Sequence, residues 1–149
     1  MRNIRIMYQY DGSKYYGFQR QKNKDTVQGD IEKIVFSKFN EKINMTSSGR
    51  TDRGVHALGQ VSNFSISKRI PLDAIKQQIN KTLRGKVKIL SIEEIHADFN
   101  ARFDAKRRTY LYVLKNESKI TPFEAPYVTS IKEEIDIDRI PRHIAIIMD

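Results

Sequence analysis

Hydrophobic and polar positions alternate over residues 3–10, with Ile4, Ile6, Tyr8 and Tyr10 on one side and Arg5, Met7 and Gln9 on the other. That is the pattern of a strand with one buried face. From Thr26 the period lengthens: Val27, Ile31, Ile34, Val35 and Phe39 form one apolar stripe, with Asp25 or Thr26 placed to cap a helix of about four turns. Ile43, Met45 and Ser47 begin a second strand, and Leu58–Ile66 makes a third. Pro71 opens a second helix that carries Ile75, Ile79 and Leu83 at a spacing of four and stops near Gly85. Val87–Ile95 is a fourth strand. The order βαββαβ predicts an α+β, ferredoxin-like fold in which helices cover one face of an antiparallel sheet and leave the other free. RTYLYVL, residues 108–114, predicts an extra strand on that sheet, and the free face is the expected site for a large ligand.

The segments that follow neither period carry the candidate chemistry. Residues 11–24, DGSKYYGFQRQKNK, read as a long loop whose Tyr15, Tyr16, Phe18 and Arg20 suit stacking on or gripping nucleotides. Any one of these rings also suits anchoring the loop to the core. Residues 49–56, GRTDRGVH, connect the second and third strands and put Asp52 at one end of the sheet. Two arginines beside a carboxylate favour its ionised form and can grip an anion, and the glycines allow close approach. A surface turn with a weak ion pair would use the same residues. Residues 102–108, RFDAKRR, lead four cations into Tyr110, which suits seating a base beside held phosphates and also suits a solvated turn. His96 reads as structural.

Composition narrows the function classes. Lys and Arg number 27 against 18 Asp and Glu, a formal charge of +9 that favours nucleic acid or an anionic membrane as partner. No apolar run approaches the roughly 18 residues of a membrane span, and the start alternates too much for a signal peptide, so a cytoplasmic protein is expected. Without cysteine there is no disulfide, thiolate nucleophile or cysteine zinc site, and His56, His96 and His143 do not make a metal-binding spacing. Neither a phosphate-binding loop nor a dinucleotide fingerprint is present. A chain of 149 residues suits one domain.

GRTDRGVHALGQVSNF, residues 49–64, resembles the signature of the TruA family of tRNA pseudouridine synthases, G-R-T-D-x-G-V-H-A-x-x-Q-V. YDGSKYYGFQRQ at 10–21 and FNARFDAKRRTYLYV at 99–113 are similar to that family in the same order. The resemblance implies isomerisation of uridine to pseudouridine in the anticodon stem and loop of tRNA, without cofactor or metal. It puts the essential aspartate at Asp52, which could attack the base, attack the sugar or take a proton from the sugar. It implies that Arg50 pairs with Asp52, taken as its main role, or enters the helix vacated by the displaced base, that Tyr110 packs on the target uracil, and that a uridine in a stem is flipped out first. Arg20, Arg53, Arg102, Lys106, Arg107 and Arg108 are the expected RNA contacts, Arg53 standing where many members have Ala. Residues 1–116 are then the catalytic domain, and 117–149 a linker into a helix that Pro141 interrupts. The family carries a second, similar half and works as a homodimer holding one tRNA across both subunits. A non-catalytic RNA-binding module, or an inactive truncated synthase remnant, is the alternative; the module would have no use for Asp52 between two arginines.

Overall fold

The alternation at the start becomes β1 (Arg2–Tyr10), whose Ile4, Ile6, Tyr8 and Tyr10 are all buried. In the computed structural model, which describes residues 1–133 and Asp138, β1 is followed by α1 (Val27–Phe39), β2 (Thr46–Ser47), β3 (Ala57–Ile66), α2 (Leu72–Thr82) and β4 (Val87–Ile95). The helix expected before Pro141 lies outside the described residues. The chain divides into two compact units, Met1–Arg108 and Thr109–Asp149.

In the first unit the sheet runs β2-β3-β1-β4 with every neighbour antiparallel. This is the ferredoxin-like arrangement. Register places Ile4 opposite Phe64, Ile6 opposite Ser62 and Tyr8 opposite Gln60, so one face of the sheet lies against the helices. Val27, Ile31 and Val35 of α1 and Ile75 and Ile79 of α2 close the core over Ile4, Ile6, Phe64, Ile66 and Ile89. Each such side chain contributes about 1.5–3 kcal/mol by leaving water.

Side chains finish these elements. Thr26 rather than Asp25 caps α1, its Oγ1 accepting the Gly29 N–H at 3.2 Å. Asn40, left-handed at φ 50°, ends the helix, and Lys68 Nζ donates to the carbonyls of Phe39 and Asn40. Pro71 caps α2 one residue before its first turn. The outer edge of β4 is covered by Asn80, whose amide exchanges two hydrogen bonds with the backbone of Ile89 (2.7 and 3.1 Å).

Two expected strands differ. The second is limited to Thr46–Ser47, although Ile43 and Met45 are buried. Met45 donates its N–H to Glu32 Oε1 of α1 at 3.0 Å, so helix side chains take the backbone group that a ladder would have used. RTYLYVL does not extend the four-stranded sheet: residues 109–113 are not strand, and Leu114–Asn116 (β5) pairs in parallel with Thr129–Ile131 (β6) in the second unit. Tyr110 through Leu114 are apolar on both sides of the backbone, a pattern that settles as a strand only where both faces are covered, and all five are exposed.

The face of the sheet away from the helices is partly occupied by the chain itself. Asn3 and Asn63 donate to the carbonyl of Phe99, Ala101 N–H donates to Asn63 Oδ1, and Arg5 lies over the Phe99 ring at 5.4 Å. His96 packs edge-on against Phe99, with ring centroids 6.0 Å apart.

Candidate active site

Residues 48–56 connect β2 to β3, and a polar network buried among apolar neighbours fixes their stem. Gln60 and Ser62 sit at core-facing positions of β3. Gln60 Nε2 donates to the Gly49 carbonyl at 2.9 Å while its Oε1 accepts from Ser48 Oγ at 2.8 Å. Ser62 joins Tyr8 Oη (2.7 Å) and Ser47 Oγ (2.6 Å). Burial pushes the Tyr8 hydroxyl well above the ordinary tyrosine value, which keeps it a neutral hydrogen-bonding group. Sequence reasoning did not nominate this network. Its signal was present nonetheless, as polar residues at even positions of a strand whose other even positions are Leu58, Phe64 and Ile66.

Nearer the tip, Thr51 is held from two directions. Its Oγ1 lies 2.7 Å from Tyr10 Oη, and its carbonyl accepts the Phe18 N–H at 3.1 Å. Phe18 belongs to the aromatic loop 11–24, which is itself clamped on α1: the Val27 and Gln28 N–H groups take the Gly17 and Phe18 carbonyls, two of the donors a helix start leaves unpaired. On the other side Gly12 N–H donates to His56 Nδ1 at 3.0 Å, with Asp11 Oδ1 3.2 Å from the same nitrogen. A side chain at position 12 would meet the Val55 carbonyl at 2.0 Å, and Gly17 takes φ +97° beside Thr51 and Arg53. These two glycines let the loops touch backbone to backbone.

Between these anchors Asp52 is exposed. Among the described residues it forms no ion pair with Arg50 or Arg53, contrary to the expected pairing with Arg50, which is exposed as well. Arg53 turns instead onto the ring of Tyr16 at 4.5 Å. The adjacent Gly54, at φ +81°, has nothing within 4 Å of where a Cβ would stand.

The remaining nominated residues separate. Arg20 is committed to Glu32, a buried carboxylate, at 2.6 Å, while a little over half of its side chain stays in water. Arg108 donates Nε to the Ser48 carbonyl at 2.6 Å and Nη2 to the Arg102 carbonyl at 3.3 Å, so the end of the basic segment 102–108 is brought to the foot of the Asp52 connection. Arg102 lies 5.7 Å from the Phe103 ring, while Lys106 and Arg107 are exposed. Tyr110, half exposed, belongs to the second unit. Tyr15 and Phe18, offered as nucleotide contacts, are core residues; burial and then Asp30 push the Tyr15 hydroxyl up.

Among the described residues no three His, Asp or Glu side chains are grouped to hold a metal, and no helix is long and apolar enough to cross a membrane.

Residues 6–104 match the family described as tRNA pseudouridine synthase. The chain is similar to tRNA pseudouridine synthase A of Caldicellulosiruptor bescii, 39% identical over 142 residues that make up 95% of this chain and 58% of that one. The protein of that name from Solibacter usitatus is 44% identical over 128 residues, 86% of this chain and 53% of its own. That from Borrelia turicatae is 40% identical over 140 residues, 94% of this chain and 57% of its own. The chain thus spans little more than half the length of these relatives.

Proposed function

The chain belongs to the TruA family of tRNA pseudouridine synthases, and from that premise we propose that it isomerises uridine to pseudouridine in the anticodon stem and loop of tRNA. One observation carries the reading. Asp52 stands exposed at the tip of a connection whose neighbouring residue, Thr51, is fixed by Tyr10 and Phe18, and the carboxylate is not consumed by either flanking arginine. A surface turn has no need of such support, whereas a catalytic carboxylate does.

In this reaction the C1′–N1 bond breaks, the base turns, and C1′–C5 forms; N1 gains a proton and C5 loses one. Asp52 acts at the base or the sugar. Arg50, free of Asp52, is available to fill the space left by the flipped base, Tyr110 packs on the uracil, and stacking there contributes about 1–3 kcal/mol. Arg20, Arg53, Arg102, Lys106, Arg107 and Arg108 line the RNA. Residues 1–116 are the catalytic domain, and 117–149 a linker and the start of a second half. The enzyme works in the cytoplasm as a homodimer.

The test is tritium release from tRNA carrying [5-³H]uridine, since forming the new C–C bond expels the C5 hydrogen. Release by the 149-residue chain supports the reading. Bound tRNA without release would favour a non-catalytic RNA-binding module or an inactive remnant.

A further inference from the structure

Of the three rings in the loop 11–24, Tyr15 and Phe18 are 3% and 2% exposed, whereas Tyr16 is 46% exposed. It projects from a backbone that cannot easily move: its N–H donates to the Asp25 carbonyl at 2.8 Å, and its own carbonyl accepts from Gln21 Nε2 at 2.9 Å. Two cations from different segments approach this ring. Arg53 Cζ lies 4.5 Å from the centroid and Lys24 Nζ 5.6 Å, and both side chains are exposed. Arg53 directly follows Asp52, and the surface at Gly54 beyond it is open.

A guanidinium or an ammonium near a ring still has N–H donors for an acceptor, and the part of Tyr16 that stays exposed is left for a planar partner. A half-exposed ring on an anchored backbone, with cationic donors beside it, suits one ligand chemistry well, a nucleobase joined to phosphate. An acidic peptide would satisfy the cations and leave the ring unused.

We propose that Tyr16, Arg53 and Lys24 form a nucleotide subsite beside Asp52, in which Tyr16 stacks on a base neighbouring the target uridine while Arg53 and Lys24 hold the adjoining phosphates. The subsite rests on the RNA reading above and adds a contact 3′ or 5′ of the reacting nucleotide. Arg53 is thereby both a link between the two loops and a phosphate contact, so the position next to the carboxylate takes part in reading substrate.

The experiment is equilibrium binding of the 149-residue chain to an anticodon stem-loop RNA across a range of salt concentrations. Tyr16→Ala should weaken binding about 5- to 100-fold at every salt concentration with the salt slope unchanged, and Tyr16→Phe should restore affinity. Arg53→Gln should lower the slope by about 0.7–0.9. Because the chain contains no Trp, Tyr16→Trp adds a single indole whose emission should be quenched when RNA saturates the protein. Wild-type affinity in Tyr16→Ala, or unquenched emission from a saturated Tyr16→Trp complex, would overturn the subsite and leave the RNA reading intact. Absence of any RNA binding by the wild-type chain would overturn both.

Discussion

Thr51 and Arg20 illustrate how single residues acquire duties from neighbours that are distant in the sequence. Thr51 is fixed by a buried tyrosine and a loop N–H, so Asp52 beside it has a defined origin without needing its own partner. In a chain extended to the relatives' length, Asp52→Asn should lower turnover by roughly a thousandfold or more with tRNA affinity nearly unchanged, measured by tritium release and filter binding. Retained turnover would remove Asp52 from the chemistry. Arg20, nominated for RNA, lies against Glu32, which also takes the Met45 N–H and the Gln28 amide. Removing one partner of a fully buried pair costs about 3–5 kcal/mol, and water around more than half of Arg20 reduces that. Arg20→Ala should therefore cost about 1–2 kcal/mol in a urea titration; an unchanged midpoint would return Arg20 to a purely RNA-facing role.

At the scale of elements, the joint between α1 and β3 depends on Glu41. Its carboxylate accepts from both the N–H and the hydroxyl of Ser67, just after β3, and those bonds, the backbone one foremost, hold its pKa below the ordinary glutamate value. The sign follows. A carboxylate whose folded-state pKa is lowered contributes stability that is present above the unfolded value and is lost as pH falls through the folded one. Wild-type urea midpoints should decline as pH drops below the ordinary glutamate range, and Glu41→Gln should flatten that part of the profile. Parallel profiles would mean that the Ser67 bonds do not couple to folding. The elements themselves were legible from periodicity because each has one buried side: β1, α1, β3, α2 and β4 fall where the pattern put them, to within a residue or two. The strand at Ile43 was not, because Glu32 of α1 takes the Met45 N–H and a one-dimensional pattern does not contain that competitor.

For the whole molecule, a formal charge of +9 makes association with RNA strongly dependent on salt, and the basic segment allows its share to be divided. Arg107 is exposed, whereas Arg108 is tied to the Ser48 and Arg102 carbonyls. Arg107→Gln should lower the salt slope of tRNA binding by about 0.9 and leave turnover per bound tRNA unchanged. Arg108→Gln should lower turnover as well, since it releases the foot of the Asp52 connection. Equal effects of the two substitutions on both quantities would show that the Ser48 bond has no bearing on the site.

Sequence alone determined the βαββαβ order, the helix stripes and the placement of Asp52 on the connection after the second strand, because these depend on local period and on residue type. Tertiary structure alone decided which neighbour each charged or aromatic side chain meets. It sent Arg53 to Tyr16 and not to Asp52, sank Tyr15 and Phe18 into the core, drew Arg20 to Glu32, and paired Leu114–Asn116 with Thr129–Ile131. The physical reason is range. Backbone preference and amphipathic period act over a few residues, whereas ion pairs, ring contacts and strand partners are chosen among groups that only the completed fold brings within a few ångströms.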